Sequence, residues 1–218
     1  DISQIISIVQ EGNKTVKREM NIWPEEVTLE GQWARIEPLE FHHKNDLASV
    51  VEKNNLHLLW YTMIPPASAM ELEIKRRKDL RQTGSMLPFA IIDQSTQKAV
   101  GMTTYMNIDA ETPRLEIGST WICPSTQRTG LNTESKLLLL GHAFEQLSCI
   151  AVEFRTHFMN QQSRRAIERL GAKLDGILRS HTIMENRTVR DTAVYSIILS
   201  EWPSVKANLK YQLKKSRT

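Results

Sequence analysis

The hydrophobic pattern of this chain changes its period along the sequence. Alternating apolar runs bounded by turn residues predict β-strands. They cover residues 27–39 with a turn at Gly31, 87–93, 99–107, 114–122, 151–157, 173–181 and 188–199. Apolar positions at helical spacing predict helices over residues 46–54, 67–82, 132–147, 161–170 and 201–213. The order, strands first and then β-loop-α-β-α-β-β, is that of a mixed α and β fold.

The predicted helix over 132–147 carries a wide apolar face. Its stripe is Leu137, Leu140, Phe144 and Leu147, with Leu138, Leu139 and Ala143 beside it. A face of that width is typical of a helix packed on a sheet. We therefore divide the 218 residues into an N-terminal appendage over 1–25, a folded domain over 26–200, and a C-terminal helix and basic tail over 201–218.

Composition and charge exclude several classes of protein. The chain is 40% hydrophobic and 24% charged, as in a folded globular domain. No run reaches the roughly 20 apolar residues of a membrane span, and no basic leader precedes the apolar residues of 1–10, so we expect a cytoplasmic protein. Two cysteines suit a reducing compartment, and the six histidines show no metal-ligand spacing. A net charge of +3 disfavours nucleic acid as a partner.

The polar loop before the helix at 132 is a candidate anion site. Backbone N–H groups and the positive end of a helix dipole would face a ligand bound at residues 127–133. Gly130 permits a close approach or a positive φ, and Arg128 offers a charged donor. The alternative is an ordinary helix start capped by Asn132 or a threonine. The loop lacks the Gly-Lys-Ser/Thr of a P-loop, and no Gly-x-Gly-x-x-Gly occurs in the chain.

Gln127-x-x-Gly130-x-Asn132 resembles the Gln/Arg-x-x-Gly-x-Gly/Ala loop with which the GNAT superfamily of N-acetyltransferases binds the pyrophosphate of acyl-CoA. Asn132 replaces the third small residue of that pattern. Other segments, from residue 26 to 199, resemble the RimJ/RimL-type branch. They are Leu115-Glu116-Ile117-Gly118, Trp121-Ile122 with Pro124, Thr133-Glu134, Asn160-x-x-Ser163, Leu170-Gly171-Ala172 and Asp175-Gly176-x-Leu178-Arg179. The resemblance implies a mixed central sheet of about seven strands, splayed between the fourth and fifth and flanked by helices.

The resemblance also implies a binding site for acetyl-CoA as cosubstrate, without a metal. Its residues here are Trp121, Ile122 and Cys123 for the pantetheine arm, Gln127, Arg128, Thr129, Gly130, Leu131, Asn132 and Thr133 for the pyrophosphate, Asn160 for a pantetheine amide, and Arg169 for the 3′-phosphate. Read from the residues alone, Asn160 is an N-cap for the next helix, and Arg169 lies on a solvated basic flank.

The reaction implied is direct attack of a primary amine on the thioester. Glu116 is the candidate base, because alternation places Glu116, Gly118 and Thr120 on one strand face with small neighbours. Its alternative role is a strand-edge ion pair with Arg114 or Arg155. Ser163 is the candidate proton donor, or an ordinary first-turn serine, and Ile167 stands where many GNAT enzymes have a tyrosine.

Four functions follow from these expectations. The first is N-acetyltransfer to a protein or peptide N-terminus in a ternary complex. The second is acetylation of a small amine, where an acidic cleft would favour a polycation. For any acceptor, His157 either lines the substrate site or is a satisfied strand end. The third is a CoA-binding module without turnover. The fourth is an RNA-associated module that uses the basic tail, of which a frayed terminus is the simpler explanation. The sequence does not identify the acceptor amine, and it is compatible with a homodimer.

Overall fold

We describe a computed structural model covering residues 22–127 and 129–215. Most of the predicted N-terminal appendage, Arg128 and the last three residues of the basic tail lie outside the described residues. The strands of the described part form one sheet. They are β1 (Leu29–Glu30), β2 (Ala34–Pro38), β3 (Met86–Asp93), β4 (Lys98–Asp109), β5 (Arg114–Ile122), β6 (Ala151–His157), β7 (Lys173–Ile183) and β8 (Val189–Ile198).

The strand order across the sheet is 1-2-3-4-5-6-8-7, and the pairing is antiparallel everywhere except between β5 and β6. The predicted mixed fold is confirmed. There are eight strands where about seven were predicted, because the two residues of β1 fold back on β2 after the turn at Gly31, with Leu29 opposite Ile36. Counted without β1, strands β5 and β6 are the fourth and fifth.

Helices cover both faces of the sheet. They are α1 (Lys44–Asn54), α2 (Met70–Gln82), α3 (Gly130–Gly141), α4 (Gln161–Leu170) and α5 (Trp202–Lys214). The apolar side chains of α3, α4 and α5 share a core with one sheet face, and those of α1 and α2 share a core with the other. None of the described helices is both long and apolar enough to span a bilayer.

The C-terminal helix belongs to the main core. Trp202, Val205 and Leu209 of α5 are buried there, and the Trp202 ring stacks on Phe144 with centroids 5.3 Å apart. Trp202 Nε1 also donates to the Glu145 carboxylate at 2.6 Å. The stretch after residue 200 is therefore packed against the sheet domain as far as the structure describes it.

The helix predicted over 132–147 is regular only to Gly141. One π-helical turn follows, His142–Gln146, in which the N–H of Leu147 bonds to the carbonyl of His142 at 3.0 Å. Tyr105, buried on β4, donates its hydroxyl to the carbonyl of Leu139 at 2.6 Å. A side chain that enters the hydrogen-bond ladder of a helix is a recognised cause of such a bulge.

Candidate active site

Strands β5 and β6 separate halfway along their length. They pair only from Arg114 to Glu116 and from Ala151 to Glu153. Beyond those residues β5 pairs with β4 alone, and β6 pairs with β8 alone. The facing edges of the two strands therefore have no strand partner from Ile117 onward, and a gap opens in the middle of the sheet. A ligand can satisfy the exposed N–H and C=O groups of such an edge.

A bulge in β5 lies inside this gap. Gly118 pairs with Thr104 and Trp121 with Met102, so Ser119 and Thr120 both oppose Thr103, and Ser119 has a φ of +47°. An extra residue reverses the alternation of side chains. Thr120 therefore points to the α3 face, where it meets Lys136, so the prediction that it shares a face with Glu116 is wrong.

Glu116 is buried at the point where the gap begins. It is 4% exposed and is the last residue of β5 that pairs with β6. Its Oε2 accepts from Asn107 Nδ2 at 2.6 Å and lies 3.5 Å from Arg155 Nε. Burial raises the pKa of the Glu116 carboxyl, although the charge of Arg155 and the Asn107 hydrogen bond act in the opposite direction. A carboxylate with a raised pKa at a cleft is a candidate general base.

The charged neighbours of Glu116 form a short chain. Arg155 also binds Glu153 Oε2 at 2.9 Å, and Glu153 binds Arg114 on its other side. Of the two ion pairs considered for Glu116, the structure contains the one with Arg155. Gly118 leaves the space that the Glu116 carboxylate occupies, since a Cβ at residue 118 would lie 2.5 Å from Glu116 Oε1.

A histidine and an exposed tryptophan border the same face. His157 ends β6 and is buried, its Nδ1 accepts from the N–H of Met159 at 3.1 Å, and its Nε2 has no hydrogen-bond partner among the described residues. Burial, followed by the charge of Arg190, lowers the pKa of the His157 imidazole, which keeps it neutral at pH 7. The Trp60 ring, 51% exposed, meets His157 edge-on at 5.1 Å.

Helix α3 begins two residues earlier than predicted, and of the two kinds of cap considered for it the structure has a threonine. Thr129 is the N-cap, and its Oγ1 accepts from the N–H of Leu131 at 3.3 Å. Asn132 lies within the first helical turn, so it is not the cap. Gly130 has a helical backbone and no positive φ. It is required by close approach, because a Cβ there would lie 2.7 Å from the Trp33 ring.

Glu134 fixes the segment that brings Trp33 to this loop. Its carboxylate accepts three consecutive backbone N–H groups, from Gln32 at 2.9 Å, Trp33 at 2.6 Å and Ala34 at 2.8 Å. A cavity of about 470 Å³ opens beside Trp33, with Gln94 and Thr129 among its lining residues. This cavity lies on the β2 side of the loop, away from the gap between β5 and β6.

Helix α4 follows β6, the strand across the gap from β5. Asn160 is its N-cap, as its sequence position predicts, and its Oδ1 accepts from the N–H of Ser163 at 3.0 Å. Gln162 Nε2 donates to Gln127 Oε1 at 3.2 Å, so this contact connects the start of α4 to the loop. Ile167 is buried in the core, and no titratable side chain occupies that position.

The arginines of α4 differ in their surroundings. Arg164 donates to the Tyr195 hydroxyl at 2.9 Å and stacks over the Phe158 ring at 4.6 Å, so it is engaged in packing. Arg165 and Arg169 are exposed. Arg169 lies in the last turn, roughly 10 Å along the helix axis from Gln162 at 1.5 Å per residue.

The two cysteines are both free and differ in burial. Cys123 follows β5, and its Sγ lies 3.1 Å from Ser125 Oγ. Cys149 is fully buried, and burial raises the pKa of its thiol to about 11. Cys123 is therefore the thiol beside the gap, and Cys149 acts as a small core residue.

One cluster has the composition of a metal site but is explained by hydrogen bonds. Glu37, His42 and His43 bring possible ligand atoms within 4.8 Å of one another. His43 Nδ1 accepts from the N–H of Glu40 at 3.0 Å, so the ring proton lies on Nε2, which meets Glu37 Oε1 at 2.8 Å. This imidazole offers no free lone pair while those bonds persist.

The structure thus brings Glu116, the edge of β5 through Cys123, the loop and the start of α4 to one gap. Sequence reasoning left the partner of Glu116 open between Arg114 and Arg155, and it missed Asn107 and Lys136. A lysine at position 136, next to the leucines of an apolar helix face, was the available signal for the last of these.

Known proteins share this architecture. The Acetyltransferase (GNAT) domain family matches residues 15–173. A GCN5-related N-acetyltransferase from Brucella melitensis superposes with a TM-score of 0.77 at 32% identity, covering 87% of this chain and 86% of that one. YdaF of Bacillus subtilis (strain 168), named as a ribosomal N-acetyltransferase, is 30% identical over 106 residues, 49% of this chain and 57% of that protein. This match therefore spans little more than half of YdaF.

A further solved structure supports the fold alone. RimJ of Mycobacterium smegmatis, in complex with CoA-disulfide, has a TM-score of 0.72 at 19% identity, covering 87% of this chain and 95% of that one. The chain belongs to the GNAT acetyltransferase family, and its fold is that of acetyl-CoA-dependent N-acetyltransferases. The predicted family and enzyme class are confirmed, and a relative named as a ribosomal N-acetyltransferase and a fold neighbour named RimJ occur as the RimJ/RimL resemblance predicted.

Proposed function

We propose that this protein transfers the acetyl group of acetyl-CoA to the N-terminal amine of a protein or peptide. The observation that carries the proposal is the gap between β5 and β6, which begins at the buried carboxyl of Glu116. Such a gap offers unpaired backbone groups to a pantetheine arm on one side and a base to an amine on the other.

The proposed cofactor site follows the gap from β5 to α3 and α4. Trp121, Ile122 and Cys123 would contact the pantetheine arm through backbone groups. The pyrophosphate would meet the loop and first turn of α3, at Gln127, Arg128, Thr129, Gly130, Leu131, Asn132 and Thr133. The first N–H groups of a helix lack intrahelical partners, and Thr129 caps only one of them, so the helix N-terminus suits a diphosphate. Asn160 and Arg169 complete the proposed contacts.

The proposed chemistry is direct attack in a ternary complex. Glu116, through a bound water, accepts a proton from the ammonium of the acceptor, and the free amine attacks the thioester carbonyl. The C–N bond forms, the C–S bond breaks, and CoA leaves as a thiolate that must gain a proton. Ser163, in the first turn of α4, is one candidate for that proton donor.

The charges around Glu116 favour a peptide over a polycation as the acceptor. Arg155 is 3.5 Å from Glu116, and burial lowers the pKa of the Arg190 guanidinium while the charge of Glu116 acts in the opposite direction. The positive charges of these two arginines offset the negative charges of Glu116 and Glu153. The acceptor side therefore has no excess of negative charge, which a polyamine or an aminoglycoside would need. The exposed Trp60 offers an apolar surface to a peptide side chain. The name of YdaF, a ribosomal N-acetyltransferase, agrees with a protein substrate.

Calorimetric titration with acetyl-CoA tests the cofactor site. The sharpest variant is Asn132→Asp, because an aspartate in the first turn stabilises a helix while it repels a diphosphate. We expect micromolar binding by the natural protein and at least about tenfold weaker binding by the variant, with no loss of thermal stability. Arg169→Ala, titrated with CoA and with 3′-dephospho-CoA, tests the 3′-phosphate contact, since the variant should weaken binding of CoA alone.

Release of free thiol in the presence of candidate acceptors tests the activity. Peptides with a free N-terminus should react. Neither the same peptides with a blocked N-terminus nor spermidine should react. Binding without turnover on any amine would favour the module without catalysis. Salt-dependent RNA binding that disappears with the basic tail would favour the RNA-associated alternative. Both cysteines are free, which suits the proposed cytoplasmic location.

A further inference from the structure

A lysine amine lies buried beside the gap, on the face of the sheet opposite Glu116. Lys136, on the second turn of α3, is 8% exposed, and its Nζ donates to Thr120 Oγ1 at 3.2 Å. Among the described residues no carboxylate lies within ion-pair distance of this amine. Burial lowers the pKa of the Lys136 amine to about 7. A buried amine without a counterion is uncommon and is expected where an anion arrives or a proton is exchanged.

Thr120 connects this amine to the gap. It belongs to the bulge of β5, four residues beyond the last position that pairs with β6, and it is exposed. Its hydroxyl also lies 2.8 Å from Thr103 Oγ1. The hydroxyl can therefore accept a proton from Lys136 and offer its own proton to a group in the gap.

The arrangement places a base and an acid on the two faces of one strand. Glu116 lies on the face covered by α1 and α2, and Lys136 lies on the face covered by α3. A thioester held in the gap would be accessible from both faces, so its carbonyl could meet an amine activated at Glu116 while its sulfur meets the hydroxyl of Thr120. The position of the usual tyrosine is the buried Ile167, so the fold supplies no phenol there.

We propose that Lys136 and Thr120 deliver the proton to the departing sulfur of CoA. The Thr120 hydroxyl gives its proton to the thiolate and takes one from the Lys136 ammonium, which leaves CoA with a thiol and Lys136 with a neutral amine. Solvent returns the proton to Lys136 after CoA leaves. This inference rests on the proposed function, since it requires CoA in the gap.

The decisive measurement needs no turnover. Free CoA is bound to the protein, and the ultraviolet absorbance of its thiolate is followed as the pH is raised. In the natural protein the thiolate and the Lys136 ammonium should stabilise each other, so with free CoA bound the amine should keep its proton above the pH of about 7 at which it loses it when no thiolate is present. We expect the thiolate to appear about one pH unit or more below its position in Lys136→Met. Methionine has a similar length and no charge, and removal of a buried amine should not destabilise the fold.

Thr120→Val and Ser163→Ala distinguish the two candidate donors. Kinetics with acetyl-CoA and an N-terminal peptide should show a loss of rate above about pH 7 in the natural protein, because Lys136 is then neutral. Lys136→Met and Thr120→Val should both lower kcat, by about tenfold or more, with little change in the KM for acetyl-CoA, and both should lose that alkaline limb. Ser163→Ala should keep it.

Each contrary outcome overturns the inference. An unshifted thiolate titration in Lys136→Met, an unchanged alkaline limb in Thr120→Val, or a loss of that limb in Ser163→Ala would each do so, as would a failure of CoA to bind. A normal thiolate shift combined with no acetylation of any amine would instead refute the proposed function and leave the Lys136 contact intact.

Discussion

The ring of Trp33 lies where a side chain at residue 130 would have to be. A Cβ on Gly130 would come within 2.7 Å of it, a distance that carbon atoms essentially never reach in folded proteins. Trp33 is in turn fixed by the carboxylate of Glu134, which binds its N–H at 2.6 Å. The start of α3, and with it the proposed phosphate site, is thus positioned by the loop between β1 and β2.

Gly130→Ala should therefore lower the free energy of unfolding, although alanine is the better helix former. We expect a loss of about 1–3 kcal/mol, since the ring must shift to accept the methyl group. The matched control is Gly141→Ala on the same helix, where a Cβ would lie 3.8 Å from Trp202 and fits. That variant should gain about 0.5–1 kcal/mol. Urea denaturation measures both, and equal effects would contradict the contact with Trp33.

Glu134→Gln should also destabilise the fold, because an amide nitrogen would face one of the three N–H groups that the carboxylate now accepts. A loss of about 2 kcal/mol is expected for hydrogen bonds to a charged group in a partly buried site. Glu52→Gln, at an exposed position of α1, is the control and should change the unfolding free energy by less than about 0.5 kcal/mol. An unchanged urea midpoint in Glu134→Gln would refute the role assigned to this carboxylate.

Glu116→Gln should separate activity from stability. Loss of a general base lowers kcat/KM by about 100-fold or more. The same change should stabilise the fold at pH 7. Burial raises the pKa of Glu116 in the folded state, so the carboxyl favours folding at low pH, and that contribution is lost as the pH rises through the folded-state pKa. The stability advantage of the variant should therefore vanish below about pH 4. Thermal unfolding at several pH values, beside initial rates, would show whether both effects occur.

Arg155→Met should move the acidic limb of the rate profile. The Arg155 charge favours the ionised form of Glu116, so its removal raises the pKa of that carboxyl further. The limb of kcat/KM that rises with pH should then shift to higher pH. Arg114→Met is the control, because Arg114 binds Glu153 and not Glu116. A limb that moves equally in both variants, or in neither, would remove Glu116 from the role of base.

Much of the secondary structure follows from local patterns. The strands at 114–122 and 151–157 and the helix at 161–170 have their predicted limits, since alternation, flanking turns and the Asn160 cap all agree there. Helix α3 begins earlier than predicted because Thr129 caps it, and it ends in a π-helical turn beside Tyr105, a contact 34 residues away in sequence. Contacts of that range are invisible to a periodicity argument.

The candidate site also has one part that local patterns predict and another that depends on long-range contacts. Strand alternation identified Glu116, and the resemblance identified the loop from Gln127 to Thr133, as the places where chemistry was expected. The bulge at Ser119 could not be predicted, because it depends on how β5 registers against β4, and it decides which face Thr120 and Trp121 occupy. The partners of Glu116 likewise come from two other strands.

The order of strands and helices, the family and the residue types available for the reaction can all be read from the chain, since these depend on local periodicity and on motifs. Only the tertiary structure decided that Arg155 and not Arg114 pairs with Glu116, that Gly130 serves the packing of Trp33, and that Lys136 lies buried against Thr120. Each of these depends on strand register and on packing between distant segments. Such contacts are fixed by the energy of the whole core, and no local stretch of sequence encodes them.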